Sequence, residues 1–327
     1  MTRLQNTWAV VLAAGDGARL STLTTDSDGN PVPKQFCSLN GGGSLLHEAL
    51  QRASRVVPRE RVCAIVADQH RPYWRLDLWA VPAGNIIVQP SNRGTAHGVL
   101  LSALSILERD PLARIVFLPA DHYVADESAL AGSLRETAAF LNRNTRGLVL
   151  VGIEPDEPDP ELGYIVPGQS LGDGSYAVKQ FVEKPKPRVA SDLLSAGALW
   201  NSFIFAATGA FLLGLLRQRI ASSVEDIATA LARDDRSNAL AQAYEHLDSV
   251  DFSRTVMQGA EESLRVIAAP QCGWTDLGTP KRVADALRRL DLLSSKPAPT
   301  QTVYRSSARA PAFISLAAQH ARLGLSQ

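Results

Sequence analysis

Trp8-Ala9-Val10-Val11-Leu12-Ala13-Ala14, running straight into Gly15-Asp16-Gly17-Ala18-Arg19-Leu20, is the stretch on which the fold turns. The apolar run reads as a buried strand, and the glycines let the backbone turn sharply and approach a ligand closely. Arg19 and, in Pro33-Lys34-Gln35-Phe36, Lys34 bring two positive charges to a place rich in free backbone N–H groups. That combination suits a polyphosphate. The loop has Leu20 where a dinucleotide fingerprint has its third glycine, and it lacks the Gly-Lys-Ser/Thr ending of a Walker loop. On glycines alone a tight turn explains it equally well, and a surface ion pair is the plain alternative for each cation. Their joint placement beside one loop favours phosphate.

The rest of the composition narrows the class. With 327 residues, 45% of them hydrophobic, the chain can bury a substantial core, as one large α/β domain or a domain with a smaller unit. Lys plus Arg and Asp plus Glu number 33 each, so no basic excess advertises nucleic acid and no acidic excess suggests disorder. Cys37, Cys63 and Cys272 have no metal-ligand spacing and fit a reducing compartment. No signal-peptide pattern opens the chain and no apolar stretch is long enough to span a bilayer. The expectation is a cytoplasmic protein without nucleic-acid or membrane partners.

Along the chain, apolar strand candidates at 62–66, 86–88, 115–118 and 148–151 alternate with helical patterns at 45–53, 95–107 and 130–141. This alternation predicts βα units and a mainly parallel sheet. An acid- and proline-rich loop, Glu154-Pro155-Asp156-Glu157-Pro158-Asp159-Pro160, then changes the character. Strands at 164–166, 176–182 and 199–206, with a helix near 189–194, predict a small subdomain over about 154–207 that covers the edge of a site. Helices within 210–244, a returning strand at 264–268 and a helix at 281–293 complete a domain spanning 1–293. Residues 294–327 read as a linker and tail, with a short helix at 312–323.

Carboxylates mark the chemistry. Asp121, in Leu118-Pro119-Ala120-Asp121-His122, sits just past a strand, where ligands gather in open α/β sheets, and can hold Mg²⁺. The alternative is a turn or helix-capping aspartate. Asp276, in Gly273-Trp274-Thr275-Asp276-Leu277-Gly278, is a second such carboxylate, and two of them with phosphate oxygens and waters suffice for Mg²⁺. His122 reads as structural, since no His or Cys partner lies at metal spacing. In Phe181-Val182-Glu183-Lys184-Pro185, Glu183 is suited to accept hydrogen bonds from sugar hydroxyls and Lys184 to meet a phosphate, against the plainer reading of an exposed ion pair. Gly163-Tyr164 and Trp200-Asn201-Ser202 are individually weak signals.

Taken together and in order, these segments resemble sugar-1-phosphate nucleotidyltransferases over roughly residues 8–290. The Pro-Lys-Gln-Phe, Pro-Ala-Asp-His, Trp-Asn-Ser and Gly-Trp-x-Asp segments, and Asp251-Phe252-Ser253-Arg254-Thr255-Val256-Met257, are most like the mannose-1-phosphate guanylyltransferase branch. The resemblance implies a doubly wound, mostly parallel Rossmann-like core with a small sugar-binding subdomain and a short C-terminal helical tail. It implies transfer from GTP to a sugar 1-phosphate, mannose 1-phosphate in that branch, giving GDP-mannose and pyrophosphate with Mg²⁺, and it is compatible with a homodimer. Residue by residue, it assigns Ala14, Gly15, Gly17, Arg93 and Thr95 to the nucleotide. Arg19 and Lys34 stabilise phosphate charge. Gly163, Glu183, Lys184 and Asn201 take the sugar phosphate, and Asp121 and Asp276 hold the metal.

Two segments depart from the branch. The loop between Arg19 and Lys34 lacks its second arginine. Gln89-Pro90-Ser91-Asn92-Arg93-Gly94-Thr95-Ala96-His97, expected near the base, joins a guanylyltransferase-like Arg-x-Thr-Ala to a uridylyltransferase-like Gly-Thr-Ala-His. The competing expectations are therefore another nucleotidyltransferase, using UTP or dTTP, and a catalytically silent sugar-nucleotide-binding regulatory homologue.

Overall fold

The computed structural model describes residues 6–25, 29–39, 41–143 and 146–294. Its strands are β1 (Thr7–Ala13), β2 (Val62–Ala67), β3 (Ile86–Gln89), β4 (Arg114–Pro119), β5 (Leu148–Ile153), β6 (Tyr164–Ser170), β7 (Tyr176–Val182), β8 (Leu199–Thr208) and β9 (Leu264–Ala268). Its α-helices are α1 (Leu45–Ser54), α2 (Arg71–Asp77), α3 (Thr95–Leu107), α4 (Glu127–Arg143), α5 (Pro187–Ser195), α6 (Gly209–Arg219), α7 (Ala221–Leu231), α8 (Arg236–His246) and α9 (Pro280–Ser294). The tail and its expected helix lie outside the described residues, as does part of the loop after Arg19. None of the described helices is long and apolar enough to cross a membrane.

All nine strands join one sheet in the order β3-β2-β1-β4-β8-β5-β9-β7-β6, with a further β8–β6 pairing. The first four are mutually parallel, as the alternation with helices requires. β8 then enters antiparallel between β4 and β5, while β5 and β9 are parallel to each other. The β6–β7 hairpin is antiparallel and pairs onto β8 and β9. The expected parallel core is present, and the segment expected as a subdomain extends the same sheet. β8 follows the crossover helix α5 and so runs in the direction of β7, antiparallel to β6, and that direction sets it antiparallel to β4 and β5 as well.

Alternation along the strands sorts the core into two layers. Ala9, Val11, Val116, Leu118, Val149 and Val151 face one layer, packed with apolar residues of α1, α2, α4, α5 and α9. Trp8, Val10, Ile115, Phe117, Leu148 and Leu150 face the other, packed with α3, α6, α7 and α8. Ser44 starts α1 cleanly, because its side chain accepts the His47 N–H at 3.0 Å. In the second layer Phe205 stacks on Phe117 at 4.8 Å and on Phe252 at 4.9 Å between ring centroids, tying β8 to β4 and to the segment that borders the site. Cys37, Cys63 and Cys272 are buried free thiols, and burial pushes the Cys37 thiol up to about 12.

Phe205 is fully buried at the centre of that stack. Phe205→Ala is expected to lower unfolding free energy by roughly 3–5 kcal/mol, read from urea denaturation.

Candidate active site

β1 and β4 are adjacent parallel strands, and β2 lies on the other side of β1, so the chain connections diverge between β1 and β4. In such sheets a crevice opens at the carboxyl ends of the strands at that point. A cleft of about 330 Å³ lies there, bordered by Ala14, Gly15 and Gly17 after β1, by Gly94 and Thr95 at the start of α3, and by Asp121 and His122 after β4. The turn after β1 is tightly held. Gln35 Nε2 donates to the carbonyls of Ala13 at 3.0 Å and Gly15 at 2.7 Å. Asp16 at its tip accepts from Gln69 Nε2 and Asn92 Nδ2, each at 2.8 Å. Gly17 has φ +62°, and a Cβ there would lie 2.8 Å from the Lys34 nitrogen, so only glycine fits.

Lys34 is 5% exposed. Its ammonium lies 2.9 Å from Asp121 Oδ2 and donates to the Asp276 carbonyl at 2.5 Å. Burial acts to raise the Asp121 carboxyl, but the Lys34 ammonium, with His122, outweighs it and holds Asp121 below the usual carboxylate range. His122 is pushed down to about 4 by burial, against the pull of Asp121 and Asp276, so its imidazole is neutral near pH 7. It packs edge-on against Trp274 at 5.2 Å and also borders the cleft.

Asp276 is placed differently from Asp121. It is 7% exposed, does not border the cleft, and directs Oδ1 to the Arg282 guanidinium and the Gly278 N–H, the latter at 3.0 Å. Arg19 also stands outside the cleft lining, exposed and paired with Glu161 at 3.2 Å. Arg93 is spent on structure, its Nε donating to the Tyr244 carbonyl at 2.8 Å. Thr95 does border the cleft, but its hydroxyl oxygen accepts the Phe252 N–H at 2.8 Å and so docks the 251–257 segment. The N-terminal end of the 13-residue α3 brings its positive dipole to that wall, although the Ala96 N–H is taken by the Val250 carbonyl at 3.0 Å and the Gly94 N–H by Asn92 Oδ1 at 3.0 Å.

The expected sugar-site residues form a second group. A Cβ on Gly163 would lie 2.5 Å from Glu183 Oε2 and 3.2 Å from Asn201 Cβ, so all three meet at one point. Asn201 Oδ1 accepts the Phe203 N–H at 3.1 Å, and Phe203 borders the cleft, which joins the two groups. Lys184, at φ +48°, is exposed at the strand end. Burial, reinforced by Asp251, pushes the Glu183 carboxyl up to about 7. Asp251 borders the cleft as well. The segment carrying it was visible in the sequence, but no motif spacing marks that aspartate out. Gln35 lay inside the Pro-Lys-Gln-Phe motif, and its role depends on which carbonyls the turn brings to it.

Among the described residues, no cluster of three or more His, Cys, Asp and Glu side chains is arranged to hold a metal ion. Mg²⁺ commonly uses one or two carboxylates and takes its remaining ligands from phosphates and water. Asp121, ionised and bordering the cleft, fits that donor set; the Asp276 carboxylate is occupied by Arg282.

The model of the nucleotidyl transferase family matches residues 8–291. Over 298 residues the chain is 33% identical to a mannose-1-phosphate guanylyltransferase of Escherichia coli (strain K12), covering 83% of this chain and 58% of that protein. It is 31% identical over 294 residues to mannose-1-phosphate guanylyltransferase 2 of Escherichia coli O157:H7, with 83% and 58% covered. The chain thus spans under two thirds of the length of these curated relatives. Among solved structures, one described as a mannose-1-phosphate geranyltransferase from Thermus thermophilus superposes with a TM-score of 0.73 at 32% identity, covering 84% of this chain and 77% of that one.

The raised Glu183 pKa sets a direction for stability. The folded state keeps a proton that the unfolded chain releases near 4.5, so this contribution is complete below about 4.5 and is lost as pH rises through about 7. Thermal melts are expected to show Glu183→Gln flattening that decline, by up to about 3 kcal/mol, and gaining most over the parent at pH 8.

Proposed function

We propose that this chain, which belongs to the nucleotidyl transferase family, transfers a guanylyl group from GTP to mannose 1-phosphate, giving GDP-mannose and pyrophosphate. The observation that carries this reading is the buried Lys34 ammonium held against Asp121 at the edge of a glycine-walled cleft, with a separate polar group of Gly163, Glu183 and Asn201 beside it. The names of the relatives favour guanine and mannose.

In this reaction a phosphate oxygen of the sugar 1-phosphate forms a bond to the nucleotide α-phosphorus while the bond from that phosphorus to the pyrophosphate oxygen breaks, in line. The protein has little covalent work to do, so its contribution is positioning and charge neutralisation. The turn 15–17 presents backbone N–H groups to the nucleotide, and the start of α3 adds its helix dipole. Lys34 meets charge that spreads over the oxygens around the α-phosphorus. Arg19, once released from its exposed pair with Glu161, reaches the outer phosphates. Asn201 and Glu183 fix sugar hydroxyls, and Lys184 meets the sugar phosphate. Mg²⁺ would be held by Asp121, with Asp276 as a second carboxylate, and when bound would neutralise charge on the phosphate oxygens.

Pyrophosphate release from a matrix of nucleoside triphosphates and sugar 1-phosphates with Mg²⁺ is expected to be fastest for GTP with mannose 1-phosphate. Preference for UTP or dTTP would overturn the guanylyl assignment, and no turnover with any pair would overturn the transferase reading. Lys34→Met is expected to lower kcat by about 10²-fold or more, the range seen when one preorganised charge-stabilising donor is removed. Circular dichroism checks that the variant remains folded.

A further inference from the structure

We propose that Arg282 is a positioning residue for the cation site, and that it holds the Asp276 carboxylate in competition with Asp159 of the acidic loop. This inference rests on the nucleotidyl-transfer reading and extends it. Arg282 lies in the first turn of α9 with its side chain 10% exposed. One arm of the guanidinium donates to Asp276 Oδ1, and the other, Nη2, lies 2.9 Å from Asp159 Oδ2. The two carboxylates are 10% and 14% exposed, so a single buried guanidinium serves one buried acid, Asp276, and one half-buried acid, Asp159.

The two acids come from different segments of the chain. Asp276 belongs to the turn whose carbonyl receives Lys34. Asp159 belongs to the loop after β5, which is fastened at three further points: Glu157 to Lys281 at 2.5 Å, Asp156 to Arg289 at 3.3 Å and Glu161 to Arg19 at 3.2 Å. Those three pairs are exposed and individually weak. The Asp159–Arg282 pair is the buried one and anchors the loop.

A cation beside Asp121 gains the Asp276 carboxylate only when Arg282 yields it. A buried guanidinium left with no acid is strongly unfavourable, whereas one that keeps a second acid keeps a charge partner. Asp159 therefore makes Asp276 releasable. Removing Arg282 frees Asp276 for the cation; removing the charge of Asp159 ties Arg282 to Asp276. The two changes act on cation affinity with opposite signs, which loss of a shared scaffold would not do.

The test is Mn²⁺ binding to the full chain without nucleotide, measured by electron paramagnetic resonance of free Mn²⁺ and by calorimetry. Arg282→Met is expected to tighten binding about threefold or more and Asp159→Asn to weaken it by a similar factor, with Asp159→Asn silent in an Asp276→Asn background. Shifts of the same sign in both single variants, no shift in either, or an Asp159→Asn effect that persists without Asp276 would overturn the proposal. If Arg282→Met fails to fold, the Asp159–Asp276 cycle decides alone. Full Mn²⁺ binding by Asp121→Asn would instead contradict the cation reading beneath it.

Discussion

A buried ammonium is tolerated only where every direction it faces offers an acceptor, and Lys34 is such a case. Its Nζ meets the Asp121 carboxylate at 2.9 Å and the Asp276 carbonyl at 2.5 Å, joining three segments that are far apart in the chain. Much of the site follows from that contact. Gly17 must lack a side chain because the backbone of Lys34 passes beneath it. The turn 272–278 must fold back so that its carbonyl reaches the ammonium, and this sets Asp276 on the Arg282 side. Asp121 is kept ionised at the mouth of the cleft, where a charge can act on a ligand.

The same constraint sorts the titratable groups. Asp121 is held low by its cation, while Glu183 is pushed up to about 7 by burial with Asp251 nearby. His122 is kept neutral by burial between the carboxylates. Environments that push neighbouring groups apart in this way give each a separate task. One carboxylate is a fixed anion at the cleft, which suits it to the phosphate end in the proposed reading. The other, near neutrality, can donate as well as accept, which suits it to a sugar hydroxyl.

Much of this was legible in the sequence. The apolar run at β1, the glycine turn and the βα alternation of the first half are local signals, and the structure has strands and helices where they point. Helices with strong apolar spacing, α3 and α9 above all, differ from expectation only by a residue or so at their ends. Two kinds of feature were not legible. Strand direction depends on how the chain returns, so β8 gave no hint in Leu199–Thr208 that it would run antiparallel between β4 and β5. Side-chain commitment also depends on what arrives opposite. Arg93 in its Arg-x-Thr-Ala segment pointed to the base, yet it is held by the Tyr244 carbonyl, 151 residues away. Arg282 carried no motif, and only the fold shows it between Asp276 and Asp159. The short α2 was missed for want of a full helical period of apolar residues.

In the proposed function the cleft beside Lys34 holds the nucleotide and the group around Gly163 holds the sugar, so that the bond is made between them. A crystal structure with GDP-mannose and Mg²⁺ tests it most directly. Guanine is expected in the cleft between the turn 15–17 and the start of α3, the diphosphate beside Lys34 and Asp121, and the mannose against Glu183 and Asn201. A product bound with its base outside that cleft, or with its diphosphate out of reach of both Lys34 and Asp121, would contradict it.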